Sequence, residues 1–480
     1  MNLYQLLHNF FNMNKTIYSD INVSGICTDT REVKQGDLFI LQKGAHFDSH
    51  TKYKELEGIV AAFISEREID TTVPYFVVED ANDYIGPIAA KFYGYPTEEM
   101  INVAVTGTNG KTSVTSILSH ILREHHYNVG LIGTNGIFVN DQVLFENLKT
   151  PTTPPPLDLQ KIAYQLKEKR AQYNVMEVTS HGLHYGRTKG IGYQYRLFTN
   201  LTADHLDFHK TMDEYFKAKS LLFSEANEDE YCLLNKDSSY FNQLNKVCAG
   251  KVISYGVAEG ADFKATNIEL NETSTLFDVT YDNETVRIES SLIGLFNISN
   301  LLAAIAVSRL EGISLEKIKS YIKSFQGIAG RMERIVVDDK VIVVDFAHTP
   351  DALENAVQTL EEIKSKQLIT VFGCGGDRDN SKRPVMGEIA ERYSDKVIVT
   401  SDNPRTEDPN KVIQDIVAGM SGEVTTISDR RKAIHYAIEQ AHAGDIILIA
   451  GKGHETTQIV GTEEFPFDDL QVARECSKSK

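Results

Sequence analysis

From residue 101 to residue 124 the apolar positions keep a strand spacing first and a helix spacing afterwards. Ile101, Val103, Ala104 and Val105 form a compact, largely β-branched run. After Gly107-Thr108-Asn109-Gly110-Lys111-Thr112 the apolar residues fall at Val114, Ile117, Leu118, Ile121 and Leu122, one face of a helix. This predicts a strand over 101–105, a glycine loop, and a helix over 113–124. Strands at 174–178 and 196–200 and a helix at 212–223 continue the alternation, the mark of a parallel, doubly wound sheet. Upstream, Gly36-Asp37-Leu38-Phe39-Ile40 reads as a turn leading into a buried strand, and 75–78 as another. The segment 150–156 must be a loop, because Pro151, Pro154, Pro155 and Pro156 crowd it.

Residues 262–291 alternate polar and apolar and predict antiparallel strands at a domain edge. A boundary is expected near 327–331. Beyond it, 341–345, 368–372, 396–400 and 445–450 predict four buried strands separated by helices, a second α/β layer with a dinucleotide-binding pattern. The expected fold class is therefore α/β in three domains, 1–98, 99–329 and 330–480. A central P-loop-type doubly wound sheet would be flanked by an N-terminal α/β domain and a C-terminal Rossmann-like one.

The chain's 480 residues suit about three cores, and 41% hydrophobic with 24% charged residues is ordinary for a soluble globular protein. No run approaches the ~20 apolar residues of a membrane span. The first residues carry no basic leader before an apolar block, so a cytoplasmic location is expected. Five cysteines, Cys27, Cys232, Cys248, Cys374 and Cys476, form no CxxC pair, which argues against a disulfide framework or zinc ribbon. A net charge of −18 opposes nucleic-acid binding and leaves room only for small anions in local basic pockets.

The loop 107–112 carries the first chemistry. Its glycines let backbone N–H groups approach an anion, the helix start adds positive dipole, and Lys111 adds a point charge. The Thr112 hydroxyl could bind Mg²⁺. Val105 stands where the strict P-loop spacing places glycine, so the regular pattern fails while the mechanics survive. Glu177 closes one strand, His205 follows another, and Lys219 lies on a helix. Spacing alone favours bland readings for these three: a surface strand end, a satisfied core histidine and a solvated lysine.

An ordered series of motifs changes that balance. It runs from Thr28-Asp29-Thr30-Arg31 and Gly36-Asp37-Leu38-Phe39 through 106–113, Glu177-Val178-Thr179-Ser180-His181-Gly182-Leu183 and Asp204-His205-Leu206-Asp207-Phe208-His209. It continues with Gly294-Leu295-Phe296-Asn297-Ile298-Ser299-Asn300, Gly330-Arg331-Met332-Glu333-Arg334 and Asp345-Phe346-Ala347-His348-Thr349-Pro350. It closes with 373–384, Asp402-Asn403-Pro404-Arg405 and Gly451-Lys452-Gly453-His454-Glu455. With this series the chain resembles the Mur ligase family, and within it the UDP-N-acetylmuramoyl-tripeptide synthetases, along nearly its whole length.

The resemblance implies a monomeric, ATP-consuming ligase that joins meso-diaminopimelate to a UDP-muramoyl-dipeptide through an acyl phosphate. Gly107, Thr108, Asn109, Gly110, Lys111, Thr112 and Ser113 would hold ATP, with Asn297 and Asn300 at the nucleotide and Arg331 and Asp345 closing over it. Thr112, Glu177, His205 and Lys219 would serve Mg²⁺, Lys219 as a CO₂-derived carbamate. Thr28, Thr30, Ala45, His46 and Phe47 would line a UDP pocket in the N-terminal domain. Thr152, Thr153, Thr179, Tyr185 and Arg187 would face the muramoyl-peptide. Arg378, Asp402, Asn403, Pro404, Arg405, Gly451 and Glu455 would bind the amino acid, with Arg405 on the distal carboxylate that lysine lacks. Pro151, Thr179 and Tyr185 depart from the family's usual residues at the acceptor site. They leave a second reading, a Mur-ligase-like enzyme using another acyl acceptor or L-lysine. A third reading, a nucleotide-controlled binding protein that makes no bond, is disfavoured by the Glu177, His205 and Lys219 set.

Overall fold

The computed structural model describes residues 1–44, 47–145, 151–271 and 273–476. Among the described residues, three large sheets, each with its own apolar packing, follow one another along the chain, with a small two-stranded ribbon, Thr457–Val460 and Glu463–Pro466, after the third. The first has four parallel strands in chain order, Gly25–Cys27, Asp37–Ile40, Ala62–Ser65 and Tyr75–Val77. The turn and the two strands expected here are present. Leu3 and Leu6 of one helix and Ile85, Ile88 and Ala89 of Asn82–Phe92 pack on this sheet.

The central sheet has eleven strands. Strand Ile101–Thr106 lies between Tyr195–Phe198 and Tyr173–Glu177 and runs parallel to both. Their carboxyl ends share one edge, where the chain passes from one half of the sheet to the other. Ligands gather at such a switch point in open α/β sheets. The parallel order is only part of the sheet. Strands Phe263–Leu270, Thr275–Tyr281 and Glu284–Ser290 form the expected antiparallel meander, but extend the same sheet. The reason is shared burial: Phe263, Phe277, Val279 and Ile288 enter the same core as Leu301–Val307 of helix Leu295–Leu310.

Two boundaries differ from expectation. Helix Lys111–Glu124 starts at Lys111, not at 113, because Gly110 takes a left-handed conformation and the helix begins directly after it. Pro156 is not loop: it opens helix Pro156–Glu168, where the missing N–H costs nothing. Residue 150 of the expected loop lies outside the described residues.

In the third sheet Lys340–Asp345, Ile446–Ala450, Leu368–Phe372 and Lys396–Val399 are parallel neighbours, the four expected strands. Glu333–Val337 adds an antiparallel edge that the sequence reading did not include. Pro350–Ile363, Lys382–Tyr393 and Pro409–Val417 cover one face; Arg430–Gln440 and Asp469–Cys476 cover the other. Among the described residues no helix is long and apolar enough to cross a membrane.

Candidate active site

The phosphate loop is shaped by close approaches that only glycine permits. At Gly107 (φ +151°) a Cβ would stand 1.9 Å from Thr199 Oγ1, and at Gly110 (φ +88°) 2.4 Å from Asn300 Oδ1. The segment after strand Tyr195–Phe198 braces the loop. Asn109 N donates to Asn200 Oδ1 at 2.9 Å, Thr199 Oγ1 donates to Asn109 O at 2.6 Å, and Thr202 N donates to Thr108 Oγ1 at 3.0 Å. Lys111 Nζ folds back on Gly107 O and Thr108 O, both at 2.9 Å. Lys219 Nζ donates to the same Gly107 O at 2.9 Å and sits 4.7 Å above the Tyr215 ring.

Lys219 is 2% exposed, so the solvated-lysine reading is wrong. Burial, then the nearby Lys111 cation, drives its amine well below the ordinary lysine range. Burial lowers the Lys111 amine too, with Glu177 and Asp204 opposing.

Glu177 is 1% exposed rather than a surface strand end. Thr112 Oγ1 donates to its Oε1 at 3.0 Å, Thr134 N donates to the same oxygen at 2.9 Å, and Thr134 Oγ1 donates to Oε2 at 3.0 Å. The expected acceptor-facing residues form a chain from this carboxylate. Thr134 and Thr152 hydroxyls are 3.2 Å apart, and Thr153 Oγ1 donates to Glu177 O at 3.1 Å. Thr179 N donates to Thr153 Oγ1 at 2.9 Å, and Arg187 Nη1 donates to Thr153 O at 2.9 Å. Thr179 Oγ1 also caps helix Ser180–His184 by accepting from Gly182 N. Tyr185 is half exposed, with the Arg187 guanidinium 5.8 Å from its ring.

His205 takes a left-handed conformation (φ +54°), with Nε2 3.4 Å from Asp204 Oδ2 and its ring 5.0 Å from His181. Its side chain is 46% exposed, so it is not a core histidine; partial desolvation by the groups around it lowers its imidazole from the usual value, with Asp204 opposing. The Tyr215 ring faces both His205, at 6.3 Å, and Lys219. The four expected metal residues thus form two contact groups, Thr112 with Glu177 and His205 with Tyr215 and Lys219. Among the described residues, no three His, Cys, Asp or Glu side chains cluster as metal ligands.

Beside the loop lies a cavity of about 240 Å³ lined by Asn109, Gly110, Ser113, Asn297, Asn300, Arg331 and Asp345, all expected at the nucleotide. Asn300 Nδ2 donates to Asn297 Oδ1 at 3.1 Å, and Asn297 Nδ2 to Ile293 O at 2.8 Å. The far wall comes from the third sheet's layer. Arg331 Nη2 donates to Thr112 Oγ1 at 3.3 Å, and Asn109 Nδ2 donates to Asp351 Oδ2 at 2.6 Å. Asp345 Oδ2 accepts from Met332 N at 2.7 Å. Burial pushes the Asp345 carboxyl up to about 6, against the pull of Arg331.

A second constellation sits on the third-sheet loops. Arg405 Nη1 donates to Gly376 O at 2.8 Å, and a Cβ on Gly375 would lie 3.0 Å from that nitrogen and 3.8 Å from Arg378 Cγ. The Arg405 guanidinium and the stem of the exposed Arg378 side chain therefore both approach Gly375. Pro404 O lies against Gly376, and Gly451 against the Asp402 carboxylate. Asn403 Nδ2 donates to Glu455 Oε2 at 2.9 Å, and Lys452 Nζ donates to Asn403 Oδ1 and Glu455 Oε2, each at 2.9 Å. Buried Arg383, which donates to Gly375 O at 3.4 Å, holds Glu407 (2.8 Å) and Asp415 (2.8 Å).

Thr28 and Thr30 are half-buried just after strand Gly25–Cys27, and Phe47 is exposed. Ala45 and His46 lie outside the described residues. Sequence reasoning missed Thr134, Asn200, Asp351, Lys452 and Arg383. Two of them adjoin chosen residues: Asp351 follows Pro350, and Lys452 lies between Gly451 and Glu455 in quoted motifs.

Comparison with known proteins agrees with this layout. Residues 105–308 match the Mur ligase middle domain, and 330–453 match the Mur ligase, glutamate ligase domain. The UDP-N-acetylmuramoyl-L-alanyl-D-glutamate--2,6-diaminopimelate ligase of Bacillus cereus is 42% identical, covering 94% of this chain and 94% of its own. The enzyme of that name from Listeria monocytogenes is 40% identical over 95% and 94%. A solved structure of a ligase of that name superposes with TM-score 0.73 at 30% identity, covering 100% of this chain and 99% of that one. The MurF ligase of Thermotoga maritima in complex with ADP shares the fold, with TM-score 0.66 at 19% identity over 96% and 98%.

Proposed function

Because this chain belongs to the Mur ligase family, we propose that it adds meso-diaminopimelate to UDP-N-acetylmuramoyl-L-alanyl-D-glutamate, consuming ATP and releasing ADP, in peptidoglycan precursor synthesis. The observation that carries this reading is the approach of Arg378 and Arg405 to Gly375, in the same layer as Glu455. Two guanidiniums suit a carboxylate, and Glu455 suits an ammonium. Diaminopimelate offers both at its distal end, lysine only the ammonium. The reading takes 1–98 as the UDP-substrate domain, 99–329 as the ATP domain and 330–480 as the amino-acid domain, in a cytoplasmic monomer.

The residues at the loop suit ATP and magnesium. The glycine cradle leaves space for phosphates, and the Thr112 hydroxyl and Glu177 carboxylate are the oxygen donors a hard cation prefers. Magnesium, when bound, would neutralise charge on the transferring phosphoryl group. Thr112, Glu177, His205 and a carbamate on Lys219 would hold it. The burial of Lys219 supports the last assignment, since a buried amine is favoured in its neutral, CO₂-reactive form.

The chain's own residues then divide the work. Lys111 leaves its two loop carbonyls to meet the phosphates, and Arg331 meets them from the opposite side. The dipeptide carboxylate attacks the γ-phosphorus, ADP leaves, and an acyl phosphate forms. With the distal ammonium held by Glu455, the amino acid's other amine, in its neutral form, attacks the acyl carbon, expels phosphate and gives up a proton to solvent. Arg331 and Asp351, bonded across the cavity, help exclude the water that would hydrolyse the intermediate. Thr179, where the family carries serine, keeps a hydroxyl bonded to Thr153 and the helix start, which favours the muramoyl-dipeptide over a different acceptor.

The test is ADP and product formation with the UDP-dipeptide and either meso-diaminopimelate or L-lysine. Turnover with diaminopimelate and at least a hundredfold lower kcat/KM with lysine is expected. ADP release with neither amino acid would end this reading, and preference for lysine would select the second.

A further inference from the structure

We infer that Lys452 is a positioning residue for the incoming amino acid: a buried cation that pins Asn403 and one oxygen of Glu455, leaving the other Glu455 oxygen to the ligand's ammonium. The inference rests on the amino-acid site proposed above and assigns a role within it to a residue that does not touch the ligand.

Lys452 is 0% exposed, so it cannot meet a ligand directly. Among the described residues its ammonium has two acceptors, Asn403 Oδ1 and Glu455 Oε2, each at 2.9 Å. The Asn403 amide is fixed at both ends. Its Oδ1 takes Lys452 and Ile459 N (3.0 Å), while its Nδ2 donates to Glu455 Oε2 (2.9 Å). Both bonds to the Glu455 side chain thus fall on Oε2. Among the described residues none falls on Oε1, and the side chain keeps 34% exposure. A carboxylate held by one oxygen, with the other open to solvent, is a preorganised acceptor for a cation.

The backbone supports this placement. Lys452 follows strand Ile446–Ala450, and Asn403 follows the strand Lys396–Val399 by a few residues, so the two residues come from separate strand ends of one sheet. Ion pairing with Glu455 and bonding to Asn403 compensate a buried charge that would otherwise be costly. Removing the ammonium takes one of the two bonds from Glu455 Oε2 and one of the two from Asn403 Oδ1, so the carboxylate is held less firmly. The Glu455 carboxylate then must be ordered in part by the ligand itself, a cost that appears as weaker binding, not as slower phosphoryl transfer.

The experiment compares wild type with Lys452→Met and Lys452→Gln, using the full chain. Two activities are read: amide formation with diaminopimelate, and hydroxamate formation when hydroxylamine replaces the amino acid. Hydroxylamine intercepts the acyl phosphate without needing the Glu455 site. For Lys452→Met, KM for diaminopimelate should rise tenfold or more, with kcat reduced less than threefold. KM for ATP and the rate of hydroxamate formation should stay within twofold. Lys452→Gln, which keeps one donor, should lie between. An unchanged KM for diaminopimelate in Lys452→Met overturns the inference. So does a parallel loss of hydroxamate and amide in both variants, or their failure to fold, because the lysine would then serve the domain at large. Wild type that forms neither product counts against the proposed reaction instead.

Discussion

Arg331, from the third domain, donates to Thr112 Oγ1, the hydroxyl that also donates to Glu177. One threonine thus links the central domain's carboxylate to a cation from another domain. The arginine is held for this reach: it stacks over Phe346 at 4.5 Å, and its buried Nε has no partner among the described residues. A buried donor without a partner costs stability unless a ligand supplies one.

Replacing Arg331 with methionine should therefore impair the phosphoryl step more than the fold. Preorganised donors aimed at developing charge contribute about 3 kcal/mol. Acyl-hydroxamate formation should fall by about a hundredfold or more while the unfolding midpoint changes little. A normal hydroxamate rate would remove Arg331 from the phosphoryl step.

Thr134 holds Glu177 by two bonds, N–H to Oε1 and hydroxyl to Oε2. In Thr134→Val only the second is lost. A hydrogen bond to a charged group contributes about 1.5–3 kcal/mol, so the Mg²⁺ concentration giving half-maximal activity should rise about tenfold or more. Thr134→Ser should behave as wild type. An unchanged magnesium dependence in the valine variant would show that Thr134 serves only the sheet edge.

Lys219 lies buried against Gly107 O and the Tyr215 ring. Lys219→Ala should abolish amide formation, and short carboxylic acids should restore part of it by supplying the missing oxygen ligand. Full activity in the alanine variant would exclude a carbamate.

Asp345 gives a pH signature. Burial raises its carboxyl to about 6, so the folded chain binds this proton more tightly than the unfolded chain does. Stability linked to this group is complete at low pH and declines as pH rises through about 6. Asp345→Asn escapes that decline. The stability difference between variant and wild type should move in the variant's favour by about 1–2 kcal/mol from pH 5 to pH 7.5. Urea melts at the two pH values measure it, and a pH-independent difference would mean the proton is not bound there.

Arg430 and Asp469 form a fully buried ion pair at 2.7 Å, and Arg430 also donates to Ser401 O (3.4 Å) and Ala450 O (3.0 Å). These carbonyls end the two segments that lead to Asp402 and Gly451. Asp469→Ala should cost about 3–5 kcal/mol, since it strands a buried guanidinium. Replacing both with Met and Leu should recover most of that in urea unfolding. Equal losses in the single and double variants would contradict a desolvation cause.

The sequence by itself determined the architecture and the phosphate loop. Apolar spacing located Ile101–Thr106, the helix from Lys111 and the four central strands of the third sheet, because burial on one face or both imposes a period that needs no distant partner. It also singled out Lys111, Glu177, Lys219 and Arg331 by motif. Burial and contact were decided only by the tertiary structure. Lys219 and Glu177 looked like surface residues by spacing and are enclosed, because side chains from other elements close over them. Thr134, Asp351 and Lys452 had no period to betray them. Their roles come from partners 43, 242 and 49 positions away, and such pairings exist only once each sheet has assembled and, for Asp351, the second and third layers have met.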